Sequence, residues 1–83
     1  MDVKRELLGV LDETLGLQGR AQSFDASTPL LGALPELDSM AVVSLIAALE
    51  SHFGLIVDDD DIDGSTFATV GSLVDFVNDK LAA

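Results

Sequence analysis

The sequence predicts an all-α fold: a small four-helix bundle of three longer helices and a short one, with a long first loop. Three observations lead there. Apolar residues recur at helical spacing in three separate segments, each of those segments has polar or glycine punctuation at an end, and 48% of the residues are hydrophobic, which is ample for a core. Eighty-three residues make a single domain, residues 1–83. A chain this short buries only about 60–65% of the surface that its unfolded form exposes, so it has one small core and little room for a deep active site.

Val3, Leu7, Val10, Leu11 and Leu15 form the apolar stripe of a first helix over residues 3–16, and Gly16 and Gly19 end it. Residues 18–37 then make a loop rich in Gly, Ser, Thr and Pro. Leu30, Leu31, Leu34 and Leu37 are too apolar for a free linker and should pin that loop over the core. A loop of roughly twenty residues is unusual in a compact domain and tends to be functional.

The second helix is expected from Ser39 to Phe53. Asp38 is a good N-cap, since its carboxylate can accept the free N–H groups of the first turn, and Gly54 suits the position just past the end. Val42, Leu45, Ile46, Leu49 and Phe53 form its core stripe, while Met40, Val43 and Ala47 add a second apolar flank. That surplus marks a partner surface. Residues 55–69 form an acidic connector with a short helix around Asp59–Ile62. Thr69 caps a last helix, Val70–Leu81, whose core stripe is Val70, Leu73, Val74, Val77 and Leu81.

Charge narrows the function. Fifteen acids face four bases, Lys4, Arg5, Arg20 and Lys80, for a net charge of −11. Such a surface repels nucleic acid and anionic membranes and steers toward basic patches on other proteins. No cysteine is present, so disulfides and thiolate metal sites are excluded and any thiol chemistry needs a borrowed thiol. No targeting segment is visible, and the longest apolar stretch, Met40–Leu49, is about half a membrane span. The expectation is a cytoplasmic, free-standing monomer.

Ser39 has no means of activation. A nucleophilic serine needs a base within hydrogen-bond reach, and the one histidine, His52, lies thirteen residues along the same helix. At 1.5 Å per residue that is about 20 Å. No catalytic residue is therefore assigned, and His52 reads as a cation-capable group at a helix C-terminus. Asp59-x-Asp61-x-Asp63-Gly64 matches the start of a calcium-binding loop, but the position that requires a bidentate glutamate is Val70. No metal site is assigned. The alternative function is a small acidic cation-binding or adaptor domain using Asp58–Asp63. A serine in the first turn of a helix, by contrast, presents its hydroxyl beside free N–H groups that suit a phosphate ester.

The stretch LDSMAVVSLIAALESHFGLIVDDDDI resembles the acyl carrier protein signature: Asp-Ser-Leu or Met, an apolar-patterned helix ending in Glu-x-x-Phe, then an acidic connector. Phe67-Ala68-Thr69-Val70, with Leu73 and Val74, resembles the closing helix of that family. The resemblance covers nearly the whole chain. It implies that Ser39 receives 4′-phosphopantetheine from coenzyme A through a separate Mg²⁺-dependent phosphopantetheinyl transferase, with Asp38 as cap and recognition element. It implies acyl thioesters on the prosthetic thiol, an acyl pocket at Ile46 and Leu49, and docking of acyl-loading and acyl-processing enzymes on Met40, Val43, Ala47 and Glu50.

Two departures stand out. The family often has glycine shortly before Asp-Ser, whereas here the approach is Leu34-Pro35-Glu36-Leu37-Asp38. Carriers of fatty acid biosynthesis also place acids along the second helix; here Ser44, Ala47 and Ser51 stand where acids are common, and the acids gather at 58–63. Docking by a basic patch is then weaker along the helix and stronger at its far end, as in a specialised bacterial carrier.

Overall fold

The computed structural model describes residues 2–62 and 65–82, Asp59 through its backbone only. The order of elements is α1 (Val3–Leu15), a 3-10 turn (Arg20–Ser23), α2 (Ser39–Phe53), a second 3-10 turn (Asp59–Asp61) and α3 (Val70–Ala82). The fold is all-α, and the expected short fourth helix is the single turn Asp59–Asp61. Among the described residues the sole β-type pairing is an isolated antiparallel bridge between Pro29 and Thr69.

α1 begins where Asp2 accepts the Arg5 N–H at 3.2 Å and ends at Gly16, whose φ of 65° is the left-handed conformation that glycine adopts without strain. The helix packs against both α2 and α3. Leu7 and Leu11 meet Leu45 and Leu49 of α2 and Leu73 and Val77 of α3 in a core from which water is excluded. Phe67, Leu17 and Leu30 close that core from the connecting segments.

Burial differs from the sequence expectation at several positions. Leu30 is fully buried and Leu37 is 3% exposed, but Leu31 is 43% exposed. Leu30 and Leu31 are neighbours on a short path beside residues 67–68, and only one of them can turn inward. Leu81, in the last turn of α3, is 37% exposed because the helix end carries it out of the core. Val42, Ile46 and Phe53 flank the α2 stripe and are half-buried, so Leu45 and Leu49 alone form its sealed centre. Leu8, absent from the expected stripe, is buried.

The long loop is held at both ends. At its start the Asp12 carboxylate accepts the N–H groups of Gly19 and Ala21 at 3.0 and 3.1 Å, fixing the Arg20–Ser23 turn to α1. Further on, the loop lies against the start of α3. The Ala26 and Thr28 carbonyls accept the N–H groups of Gly71 and Val70, and the Thr69 hydroxyl accepts that of Ser72 at 3.1 Å. The free amides of the first turn of α3 are thus satisfied by loop and cap together.

Candidate functional site

Ser39 is exposed and is the first residue of α2. Local sequence explains the position. The Asp38 backbone is extended, with φ −98° and ψ −176°, and its carboxylate accepts the Ala41 N–H at 2.8 Å. The Asp38 carbonyl accepts from Val42 at 3.0 Å and starts the regular ladder. That arrangement leaves the amides of Ser39 and Met40 without intrahelical acceptors. They point along the helix axis at its positive end, beside the Ser39 hydroxyl.

α3 differs on this point, since loop carbonyls cover its first two amides. The start of α2 is the helix terminus that combines an exposed hydroxyl with uncovered donors. Phosphopantetheine attaches through a phosphodiester, and this donor set fits its charge and its ester oxygen. When bound, the group supplies a thiol, which the chain itself lacks.

His52 sits at the opposite end of α2, where its Nε2 is 3.5 Å from a Glu6 carboxylate oxygen of α1 and its ring meets Phe53 edge-on. Its contacts therefore lie at that end, with Glu6 and Phe53, and not with Ser39. The arrangement around Ser39 can accept an attached phosphate; it contains nothing that would activate the hydroxyl.

The segment leading to Ser39 is fixed by side chains far apart in sequence. Leu37 is buried, and the Glu36 carboxylate pairs with the Arg20 guanidinium. The Arg20 Nε also donates to the Leu17 carbonyl at 3.2 Å. The Glu36 backbone N–H, and then Arg20, hold the Glu36 carboxyl below the usual carboxylate range. Oε2 of Glu36 takes the Arg20 guanidinium, and Oε1 is buried with no hydrogen-bond partner. Sequence inspection does not single out Arg20 or Asp12. The available signal was an acid in the last turn of α1, where the helix dipole disfavours it.

The remaining expected residues divide by environment. Met40 and Val43 are 76% and 65% exposed, and Ala47 is exposed on α2. Ile56, just past the helix, is 76% exposed. Glu50 has a local task as well: its carboxylate accepts the Val57 N–H at 2.9 Å and shapes the start of the connector. Ile46 is half-buried, and Leu49 is sealed in the core. A cleft of about 450 Å³ opens elsewhere, lined by Val10, Glu13 and Thr14 of α1 and Ala48, Ser51 and His52 of α2.

In the acidic connector, Asp61 accepts from the Asp58 N–H at 2.9 Å and from the Lys80 ammonium of α3. Lys80 thus occupies the carboxylate that would be the third position of a calcium loop. Asp63 and Gly64 of that pattern lie outside the described residues. Among the described residues no group of three or more His, Cys, Asp or Glu is placed to hold a metal ion, and no helix is long and apolar enough to cross a membrane.

Comparison with known proteins agrees with this geometry. Residues 5–77 match the phosphopantetheine attachment site family. The solution structure of a holo acyl carrier protein from Nitrosomonas europaea is similar throughout, with 47% identity, complete coverage of both chains and a TM-score of 0.92. No curated protein sequence matches. The chain belongs to the acyl carrier proteins of the phosphopantetheine-attachment family, which are carriers and not catalysts.

Proposed function

We propose that Ser39 is the residue that carries the 4′-phosphopantetheine arm. The observation that carries this reading is the exposed hydroxyl on the first residue of α2, beside two uncovered amides and remote from the one histidine. A separate transferase supplies the activation. The Ser39 oxygen forms the new P–O bond, its proton passes to a base of the transferase, and the nucleotide half of coenzyme A leaves. The thiol of the arm then holds acyl groups as thioesters. Asp38 keeps the first turn in shape and is part of what the transferase reads.

Acyl-loading and acyl-processing enzymes dock on Met40, Val43, Ala47 and Glu50. The exposed apolar side chains and the net charge of −11 support partners that present an apolar patch with a basic rim. Acyl chains shelter beside Ile46 and Leu49. Leu49 is fully buried, so sheltering requires the core beneath α2 to part. The chain acts as one carrier domain over residues 1–83, monomeric and cytoplasmic, in fatty acid biosynthesis or a related acyl pathway.

The test is intact mass after incubation with coenzyme A, Mg²⁺ and a broad-specificity phosphopantetheinyl transferase. The wild-type chain gains one phosphopantetheine and Ser39→Ala gains none. Modification of Ser39→Ala at another residue would refute the assignment.

A further inference from the structure

The segment that presents Ser39 is held by an ion pair that the capping of α2 does not need. Asp38 and the buried Leu37 already start the helix. Glu36 nevertheless reaches across sixteen positions of sequence to Arg20. Arg20 is the one Lys or Arg between Arg5 and Lys80, in a chain of −11 net charge. Its guanidinium is itself oriented, because Nε donates to the Leu17 carbonyl and the turn that carries it is fastened to α1 by Asp12. A continuous set of fixtures therefore runs from α1 to the residues just ahead of Ser39.

The arrangement is unfavourable in one respect. Oε1 of Glu36 is buried without a hydrogen-bond partner, so that oxygen gives up hydration to hold this position. An apolar side chain there would avoid that loss. Charge is a second consideration. Coenzyme A is a polyanion, and Arg20 cancels the charge of an acid only three residues from Ser39.

We propose that Arg20 and Glu36 are a positioning pair for modification, holding residues 34–38 in the form that a phosphopantetheinyl transferase binds. The proposal rests on Ser39 being the attachment residue. Arg20 acts through Glu36: its side chain bonds to Glu36 and to the Leu17 carbonyl, not to Ser39.

The test is steady-state phosphopantetheinylation of the full chain with coenzyme A, Mg²⁺ and a broad-specificity transferase, varying the carrier concentration. Arg20→Met and Glu36→Gln are each expected to raise KM for the carrier about fivefold with kcat unchanged, the scale set by losing one surface ion pair. The reversed pair, Arg20→Glu with Glu36→Arg, restores KM to within about twofold of wild type, because the charges again attract. Urea midpoints of all variants are measured alongside. Unchanged KM in both single variants overturns the proposal. So does a fall confined to kcat, or a reversed pair as defective as the single variants. Failure of the wild-type chain to gain mass, or a gain by Ser39→Ala, overturns the attachment reading and the positioning pair with it.

Discussion

The Gly71 amide donates to the Ala26 carbonyl at 2.8 Å. Through this bond the long loop closes the N-terminus of α3. A Cβ on residue 71 would lie 2.9 Å from the Ala26 oxygen, so only glycine fits without displacing the loop. Gly71→Ala is expected to lower stability by about 1–2 kcal/mol, the loss from overpacking exceeding the gain in helix propensity. Gly9→Ala, within α1, meets nothing within 4 Å and is expected to raise stability by about 0.5–1 kcal/mol. Urea melts of the two variants should move in opposite directions. Equal shifts would show that the loop yields at Ala26.

Asp38→Ala removes the acceptor for the Ala41 N–H. The expected cost is about 1 kcal/mol, the usual worth of an N-cap, while Asp38→Asn retains most of it. Stability and modification separate the capping of α2 by Asp38 from the recognition proposed for it. If the transferase reads its charge, Asp38→Asn is stable yet modified slowly. Equal rates for Asp38→Asn and wild type would reduce Asp38 to a cap.

Leu49 and Val43 lie on the same helix in opposite environments, fully buried and 65% exposed. Leu49→Ala is expected to cost about 2–5 kcal/mol, a large share of the stability of so small a domain. Val43→Ala is expected to change stability by less than about 0.5 kcal/mol. Its effect should fall instead on loading by a partner enzyme, measured as acyl transfer to the holo chain. A large urea shift for Val43→Ala would place that side chain in the core.

The Asp61–Lys80 pair gives a pH-dependent contribution to stability. The Lys80 ammonium, and then the Asp58 backbone N–H, lower the Asp61 pKa from its ordinary 3.8. A carboxyl lowered on folding contributes fully above its unfolded pKa and loses that contribution as pH falls through the folded value. The urea midpoint of wild type should therefore exceed that of Asp61→Asn at pH 7, and the gap should close below about pH 3.8, the ordinary carboxyl value. Added salt narrows the gap at neutral pH. A gap that persists at low pH would assign the effect to packing of the residue and not to its charge.

Local chemistry explains how much was legible. Asp38 and Gly54 set the bounds of α2 because a cap and a left-handed residue act within one turn of the chain. The stripe of α1 marked Leu7 and Leu11 as core, since period 3.6 leaves them no other face. Ser39 was conspicuous for lacking a base, and the structure keeps His52 with Glu6 at the far end of its helix. The stripe of α3 overran at Leu81, because periodicity carries no information on where the neighbouring layer stops.

The sequence by itself determined the three helices, the caps at Asp38, Gly54 and Thr69, the charge and the serine at the start of α2, all properties of residues within a few positions of one another; the Asp2 cap of α1 came from the structure. Tertiary structure alone decided that Arg20 meets Glu36, that Lys80 meets Asp61 and that Ala26 closes α3 at Gly71. Those contacts span sixteen, nineteen and forty-five positions, and their geometry depends on the path that the long loop or the acidic connector takes across the packed core. No periodicity records that path, because a loop is shaped by what it lies against.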